Sequence, residues 1–199
     1  SANTSGRPSP TTAQHVYEDL QGKIPMILDG GAVTIGLEST IVDLTEEIPT
    51  ILRPGFISLD MVQAVLGEAQ IDRGLIANDS NIHPKAPGMK YRHYAPKAPV
   101  TVVRGNPQDT AKYIAERISD ATGVLCFDEY REMFPTCVVE CFGSQDDLGA
   151  QAREVFDRLR AFDDTNVTQI WAQCPSDEGL GLAVANRIKK AAGFSIIEV

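Results

Sequence analysis

The sequence predicts an α/β protein built from two units and a long irregular segment between them. In residues 100–199, short apolar runs alternate with helix-length amphipathic segments, a pattern typical of a largely parallel sheet covered on both sides. Residues 1–68 hold shorter apolar runs separated by Gly, Glu and Pro, and the middle run, at 39–44, is rich in β-branched residues. Residues 69–99 show no sustained periodicity and contain Pro84, Pro87, Pro96 and Pro99. A stretch this long without periodicity indicates a linker or a functional loop.

The first unit begins with a predicted helix. Ser9 is the expected N-cap, Pro10 takes the first helical position, and Gly22 is placed to end the helix. Strands are expected at residues 25–29, 39–44 and 50–52. Ser58 then caps a second helix, which Gly67 closes.

The second unit has a regular rhythm of strands and helices. Strands are predicted at residues 100–103, 123–127, 137–142, 169–172 and 195–199, and helices at residues 109–119, 145–162 and 180–192. We therefore expect a small sheet domain from residue 100 to residue 199, after a linker at 69–99 and a first unit at 1–68.

Composition excludes several classes of function. No run of about 18 apolar residues is present, so no membrane span is expected. The net charge of −9 argues against general binding to a nucleic-acid backbone. The four cysteines form no C-x-x-C pair, and neither they nor the histidines are spaced as zinc ligands. Reduced cysteines favour the cytoplasm.

The first eleven residues are rich in hydroxyl groups. They read Ser-Ala-Asn-Thr-Ser-Gly-Arg-Pro-Ser-Pro-Thr and lead into the first predicted helix. A helix start exposes unpaired N–H groups that suit phosphate or carboxylate, and hydroxyls add neutral donors. No Walker A loop is present. An ordinary capped helix explains the same composition.

Two further motifs follow. In Gly36-Leu37-Glu38-Ser39-Thr40, polar residues interrupt an apolar run, and the glycine would let a ligand approach the backbone. In Leu52-Arg53-Pro54-Gly55, a guanidinium stands at the end of a strand, where it can bind a phosphate bidentately. An edge strand and a surface ion pair with Glu46 or Glu47 remain open as simpler readings.

The four motifs in this order, closing with Ala-Pro-Gly-Met-Lys-Tyr-Arg-His-Tyr-Ala-Pro at 86–96, resemble the long form of the threonylcarbamoyl-AMP synthase family. In the last unit, Gly179-Leu180-Gly181-Leu182-Ala183 and the following Asn186-Arg187 resemble that family's helix entry. The resemblance implies the C-terminal portion of a YrdC-like twisted-sheet catalytic domain, a long linker that serves as a lid, and a small Rossmann-like domain.

The resemblance also implies a reaction and a set of site residues. The family condenses L-threonine, bicarbonate and ATP, with Mg²⁺ on the triphosphate, into threonylcarbamoyl-AMP and pyrophosphate. The product passes to the machinery that transfers threonylcarbamoyl to tRNA. No tightly bound cofactor, no protein ligand to a metal and no direct tRNA binding are expected. The resemblance places five residues at ATP and one at threonine: Ser1, Asn3, Ser9, Arg53 and Tyr94 at ATP, with Tyr91 as the alternative to Tyr94, and Ser39 at threonine.

The sequence departs from the family at its start. The family's K-x-R element, which grips ATP and threonine, does not precede Ser1, and the chain has no initiator Met. Either the chain is a piece of a longer protein, or a partner segment supplies the missing strands. In both cases we expect little synthase activity from this chain by itself.

Three other readings compete with this one. The chain could be an RNA-binding regulator of YrdC-like type, which its net charge disfavours. It could be the related module of a hydrogenase-maturation carbamoyltransferase, which would lack this linker and last unit. The last unit could also serve only for interaction, since residues 100–199 form no convincing catalytic cluster.

Overall fold

A computed structural model describes residues 2, 4–76 and 93–199, and only the backbone at positions 73 and 76. Three residues that the sequence singles out, Ser1, Asn3 and Tyr91, lie outside the described residues.

The first sheet has three short strands in the order β1-β2-β3. Strand β1 (Ile41–Asp43) pairs antiparallel with β2 (Thr50–Arg53), and β2 pairs parallel with β3 (Gln70–Ile71). Ile51 of this sheet packs on Val62 in a small core. The sheet therefore continues past residue 68 into the stretch that the sequence predicts as irregular.

Helix α2 (Leu59–Leu66) lies between β2 and β3 and confirms the predicted capping residues. The Ser58 Oγ accepts a hydrogen bond from the Met61 N–H, and Gly67 ends the helix with φ of +84°. A short helix α3 (Arg73–Ile76) follows β3.

Helix α1 (Ala13–Leu20) starts later than predicted. Its N-cap is Thr12, whose Oγ1 accepts from the His15 N–H, and not Ser9. The prediction failed because the Ser9 hydroxyl donates instead to Glu38, a residue far along the chain. The predicted strand at 25–29 is also wrong: Met26 and Leu28 are 71% and 88% exposed and belong to no strand.

The second sheet has five parallel strands in the order β6-β5-β7-β4-β8. Its strands are β4 (Val100–Arg104), β5 (Thr122–Cys126), β6 (Val138–Cys141), β7 (Gln169–Gln173) and β8 (Ile196–Glu198). Its helices are α4 (Pro107–Ala115), α5 (Leu148–Ala161) and α6 (Gly179–Ala191), with short 3₁₀ helices at Asp128–Met133 and Phe162–Asp164. The predicted strands and helices of residues 100–199 are all present.

Alternation along the strands divides the core of this sheet into two layers. Val102 and Leu125 face α5 and α6, and the adjacent Val103 and Val124 face α4. Successive side chains of a strand point to opposite faces, so near-continuous apolar strands match a sheet covered on both sides. The predicted parallel, doubly covered sheet is confirmed.

Several residues between positions 8 and 38 pack against the α5–α6 side of the second sheet. Leu37 and Tyr94 join the core that α5 and α6 cover. Arg160 of α5 forms a buried ion pair of 2.5 Å with Asp19 of α1 and donates to the Pro8 carbonyl. This packing brings the N-terminal motifs next to helix α6. Among the described helices, none has the length and apolar character needed to cross a membrane.

Candidate active site

An open cavity of about 650 Å³ lies between the N-terminal loops, β1, β2 and the segment that precedes β4. Its polar lining is Ser5, Ser9, Glu38, Ser39, Arg53, His93 and Tyr94, and its apolar lining includes Val33, Ile35 and Leu37. The described residues that the sequence assigns to ATP and threonine, namely Ser9, Ser39, Arg53 and Tyr94, thus line one cavity.

Arg53 is held against Ser39 by backbone and side-chain contacts. Its Nε donates to the Ser39 carbonyl at 3.1 Å, and its Nη2 donates to the Ser39 Oγ at 3.4 Å. Gly55 permits this approach, because a Cβ at that position would stand 2.5 Å from the Thr40 amide nitrogen. The L-R-P-G turn therefore packs directly on the E-S-T backbone, and the guanidinium and the hydroxyl stay adjacent.

Glu38 joins the N-terminal motif to helix α6. Its Oε1 accepts from the Ser9 Oγ at 2.6 Å, and its Oε2 accepts from the Arg187 Nε at 2.9 Å. Burial alone would raise the pKa of the Glu38 carboxyl, but the charge of Arg187 and the Ser9 hydrogen bond outweigh it and hold the pKa below its usual value. Glu38 is therefore an ionised carboxylate that fixes the direction of the Ser9 hydroxyl.

Tyr94 forms a wall of the cavity from the core side and is only 1% exposed. Its ring lies 5.1 Å from the Phe156 ring and 5.6 Å from the Arg187 guanidinium carbon. Its φ of 62° is unusual for a residue with a side chain, and the Ala95 N–H holds the turn by donating to the Gly6 carbonyl. The H-Y-A-P motif is thereby joined to the S-G turn of the N-terminal motif.

His93 stands beside Tyr94, with the two ring centroids 4.1 Å apart. Its backbone N–H donates to the Lys190 carbonyl of α6, and its buried Nδ1 has no hydrogen-bond partner within the described part of the chain. Burial lowers the pKa of this imidazole, and the charges of Lys190 and Arg187 lower it further. His93 is thus held neutral at the cavity wall.

The surroundings of the cavity are locally cationic although the chain is acidic. Burial, together with the charges of Arg187 and Arg53, lowers the pKa of Lys190 to about 8. The positive charges of Arg187 and Arg53 are therefore close enough to Lys190 to repel its charge. A cavity with this potential and with serine hydroxyls on its wall suits an anionic, polar ligand.

The sequence motifs predict only part of this arrangement. Glu38, Arg187 and His93 were assigned no role from the sequence, although each lies in one of the motifs. Gly36 lines the cavity, so its predicted role in ligand approach stays a prediction, and it has a second role as well: a Cβ there would collide with the backbone carbonyls of Ala152 and Arg153 in α5. Gly36 serves close packing between the G-L-E-S-T segment and that helix.

Comparison with known proteins agrees with these motifs. Residues 57–193 match the family described as threonylcarbamoyl-AMP synthase, C-terminal domain, and residues 1–55 match the family described as telomere recombination. The chain belongs to the threonylcarbamoyl-AMP synthase family. A threonylcarbamoyl-AMP synthase of Bacillus subtilis is 42% identical over 99% of this chain, and one of Pyrococcus abyssi is 44% identical over all of it.

Solved structures of this synthase family include a close neighbour of the fold. The crystal structure of Pyrococcus abyssi Sua5 complexed with L-threonine superposes with a TM-score of 0.88 at 43% identity over the whole chain. The chain covers 58% of that structure, and 57% and 58% of the two synthases above. It thus spans less than two thirds of the length of the relatives that it matches.

Proposed function

We propose that this chain supplies part of the substrate site for the synthesis of threonylcarbamoyl-AMP from L-threonine, bicarbonate and ATP, with release of pyrophosphate. The observation that carries the proposal is the shared cavity of Ser9, Ser39, Arg53 and Tyr94, which come from four separate motifs of a family member. The L-threonine complex of the Pyrococcus abyssi neighbour supports an amino acid as one ligand.

The proposal includes an arrangement of domains. Residues 1–68, with strand β3 at Gln70–Ile71, correspond to the C-terminal portion of a YrdC-like catalytic domain. The rest of residues 69–99 corresponds to a linker that covers the site, and residues 100–199 to a small Rossmann-like domain. The ion pair between Glu38 and Arg187 supports a role of the last domain in stabilising the cavity wall. Most of the linker, with Tyr91, lies outside the described residues, so its role as a lid stays a prediction.

Each cavity residue has a proposed contact. Arg53 binds an ATP phosphate, because its guanidinium lines the cavity next to a hydroxyl and matches phosphate geometry. Ser39, at the same point, binds threonine. Ser9 of the N-terminal motif and Tyr94 of the H-Y-A-P motif contact ATP as well. Ser1 and Asn3 are proposed at ATP by resemblance to the family only.

The chemistry needs positioning more than a protein nucleophile. The threonine amine and bicarbonate combine into a carbamate with loss of one water. A carbamate oxygen then bonds to the α-phosphorus of ATP, and the bond from that phosphorus to the bridging oxygen of pyrophosphate breaks. Fixed hydroxyls and cations hold the reacting anions together and stabilise the charge that develops on the phosphate. Val33, Ile35 and Leu37 give the open cavity one apolar wall.

Magnesium fits this site as a companion of the triphosphate. The cavity's carboxylate, Glu38, already accepts from Ser9 and Arg187, so it does not present free oxygens to a metal. When bound with ATP, Mg²⁺ neutralises phosphate charge. The proposed product is consumed by a tRNA threonylcarbamoyl transfer step, and the acidic chain is not expected to bind tRNA itself.

Titration calorimetry of the 199-residue chain with L-threonine tests the proposal. Ser39→Ala removes one hydroxyl, and we expect a loss of threonine affinity of about 5- to 10-fold, the equivalent of one hydrogen bond. Ser195→Ala, at an exposed serine just before β8, is the matched control and should bind as the unmodified chain does. Equal affinities for all three proteins would remove Ser39 from the threonine site.

ATP titration tests Arg53 separately. Arg53→Gln should weaken ATP binding about 10- to 100-fold, because charge-assisted hydrogen bonds are the stronger class. Arg117→Gln, at an exposed position just after α4 where the guanidinium lies over the Tyr113 ring, is the control for loss of one positive charge. Equal weakening by both changes would mean that the net charge of the chain, and not Arg53, governs ATP affinity.

Release of pyrophosphate from ATP, L-threonine and bicarbonate tests the whole reaction. The expectation that the 199 residues alone turn over slowly stays a prediction. Turnover as fast as that of the Bacillus subtilis synthase would contradict it.

A further inference from the structure

Two cysteines face each other on neighbouring strands, outside the candidate active site. Cys126 ends β5 and Cys141 ends β6, and the two residues are register partners in this parallel pair. Their Sγ atoms are 3.8 Å apart, and both thiols are free. Neighbouring strands lie about 4.8 Å apart, which falls within the Cα separation that a disulfide spans.

The two thiols differ in their access to solvent. Cys126 is fully buried in the core layer beneath α4, and burial together with the neighbouring Cys141 raises its pKa well above the usual value. Cys141 is partly exposed on the edge strand β6, and the Arg131 Nη1 donates to its Sγ at 3.7 Å. An oxidant therefore reaches Cys141 first, with Cys126 behind it as the second sulfur.

We propose that Cys126 and Cys141 form a dithiol site that hydrogen peroxide converts reversibly into a cross-strand disulfide. The Cys141 sulfur attacks one peroxide oxygen, the O–O bond breaks, and the departing oxygen leaves as water, so that Cys141 becomes a sulfenic acid. The Cys126 sulfur then attacks the Cys141 sulfur, the S–O bond breaks, and the Cys126 proton leaves with that oxygen as a second water. One peroxide is reduced and two thiols are oxidised.

The remaining cysteines have other surroundings. Cys137 lies just before β6, where its Sγ donates to the Ser119 carbonyl at 3.7 Å and it has no register partner in β5. Cys174 is buried after β7 in the layer that α5 and α6 cover. Among the described residues, Cys126 and Cys141 are the only two cysteines whose sulfur atoms are in contact.

The disulfide would join the edge strand β6 to its neighbour. The two cysteines flank residues 127–140, which contain the 3₁₀ helix Asp128–Met133. Closing this segment covalently restricts the unfolded chain and stabilises the end of the sheet. Reduction by a dithiol reagent would restore both thiols, because disulfides open by thiol exchange.

The experiment is peroxide treatment of the folded chain, followed by denaturation, thiol counting and peptide mapping. We expect the unmodified chain to lose two of its four thiols, with one cross-linked peptide pair that contains Cys126 and Cys141, and a higher Tm. A Cys137→Ser/Cys174→Ser variant keeps the pair and should behave in the same way. Cys141→Ser should form no intramolecular disulfide, and a dithiol reagent should restore both thiols in the first two proteins.

Three results would overturn the proposal. One is a cross-link that includes Cys137 or Cys174. Another is oxidation of Cys141 to sulfinic acid with Cys126 left as a thiol. The last is an equal loss of thiols in Cys141→Ser. Folding of each variant is checked by its circular dichroism before peroxide is added, so a failure to fold is not counted as a failure to cross-link.

Discussion

Glu38 is bound by two residues that lie 29 positions before it and 149 positions after it in the chain. Its carboxylate is largely buried, and Arg187 is fully buried. A buried charge is tolerated when it is paired and hydrogen-bonded, and the loss of one partner leaves the other uncompensated. The direction of the Ser9 hydroxyl in the cavity thus depends on an arginine from the last helix.

Arg187→Met should therefore destabilise the chain by about 3–5 kcal/mol, because Glu38 would remain buried without its cation. Urea unfolding followed by circular dichroism measures this. Arg117→Met removes an exposed arginine that pairs with Glu116 and should cost less than about 1 kcal/mol. Equal losses of unfolding free energy from the two substitutions would show that the Glu38–Arg187 pair stabilises the chain no more than an exposed ion pair does.

Glycines determine how the motif-bearing segments pack. Gly36 lies on the backbone of α5, and Gly55 lies on the backbone of residues 38–40. A side chain at either position has no space without movement of the backbone. The conformation of the L-R-P-G and G-L-E-S-T motifs is therefore fixed by contact with neighbouring backbone as well as by their own sequence.

Gly36→Ala should lower the free energy of unfolding by about 1–3 kcal/mol, as overpacking in a tight site does. Gly30→Ala is the matched control, because its Cβ would meet no atom within 4 Å and should change stability by less than about 0.5 kcal/mol. Urea unfolding of both variants checks the difference. Similar stabilities would mean that the segment at Gly36 is free to move away from α5.

Gly55→Ala should separate Ser39 from Arg53, because its Cβ would press on the backbone between them. We expect weaker binding of both L-threonine and ATP in titration calorimetry, whereas Ser39→Ala affects threonine and Arg53→Gln affects ATP. Unchanged affinity for both ligands would show that the two motifs do not need their close approach.

The sequence predicted the regular elements better than the irregular ones, for a physical reason. Strands and helices from residue 100 onward follow from period and capping, which are local signals, and their predicted positions match. The start of α1 was misplaced because Ser9 uses its hydroxyl on Glu38, a contact that no local pattern encodes. The strand predicted at 25–29 has apolar residues but no partner strand in the described structure.

The candidate site was predictable only through the family resemblance. Taken singly, Ser39 and Arg53 looked like an ordinary strand end and a surface ion pair. Their meeting depends on Gly55, and the role of Glu38 depends on a helix that begins 141 residues later. Such contacts join residues far apart in the sequence, and sequence periodicity carries information only about neighbouring residues.

At the scale of the whole molecule, an ionic network joins α1 to the end of α5. Asp19 is bound by Arg160 and by Arg7, and Arg7 also contacts Asp163. Burial would raise the pKa of Asp19, but the hydrogen bond and charge of Arg160, with the charge of Arg7, hold it below its usual value. The network anchors the N-terminal segment, and with it one side of the cavity, to the second sheet.

This network should make stability depend on pH. A carboxyl whose pKa is lower in the folded state contributes stability above its unfolded pKa, and that stability is lost as the pH falls through the folded value. Asp19→Asn should therefore be less stable than the unmodified chain near pH 7, with the difference shrinking below about pH 4. Urea unfolding at several pH values measures this, with exposed Asp120→Asn as control. If the free energy of unfolding changed with pH in the same way for the unmodified chain and Asp19→Asn, the Asp19 carboxylate would not be the source of the pH dependence.

The most direct measurement is a crystal structure of this chain grown with L-threonine and a non-hydrolysable ATP analogue. We expect both ligands in the cavity lined by Ser9, Ser39, Arg53 and Tyr94, with threonine at Ser39 and a phosphate at Arg53. Well-ordered ligands bound on another surface, with this cavity left to solvent, would contradict it.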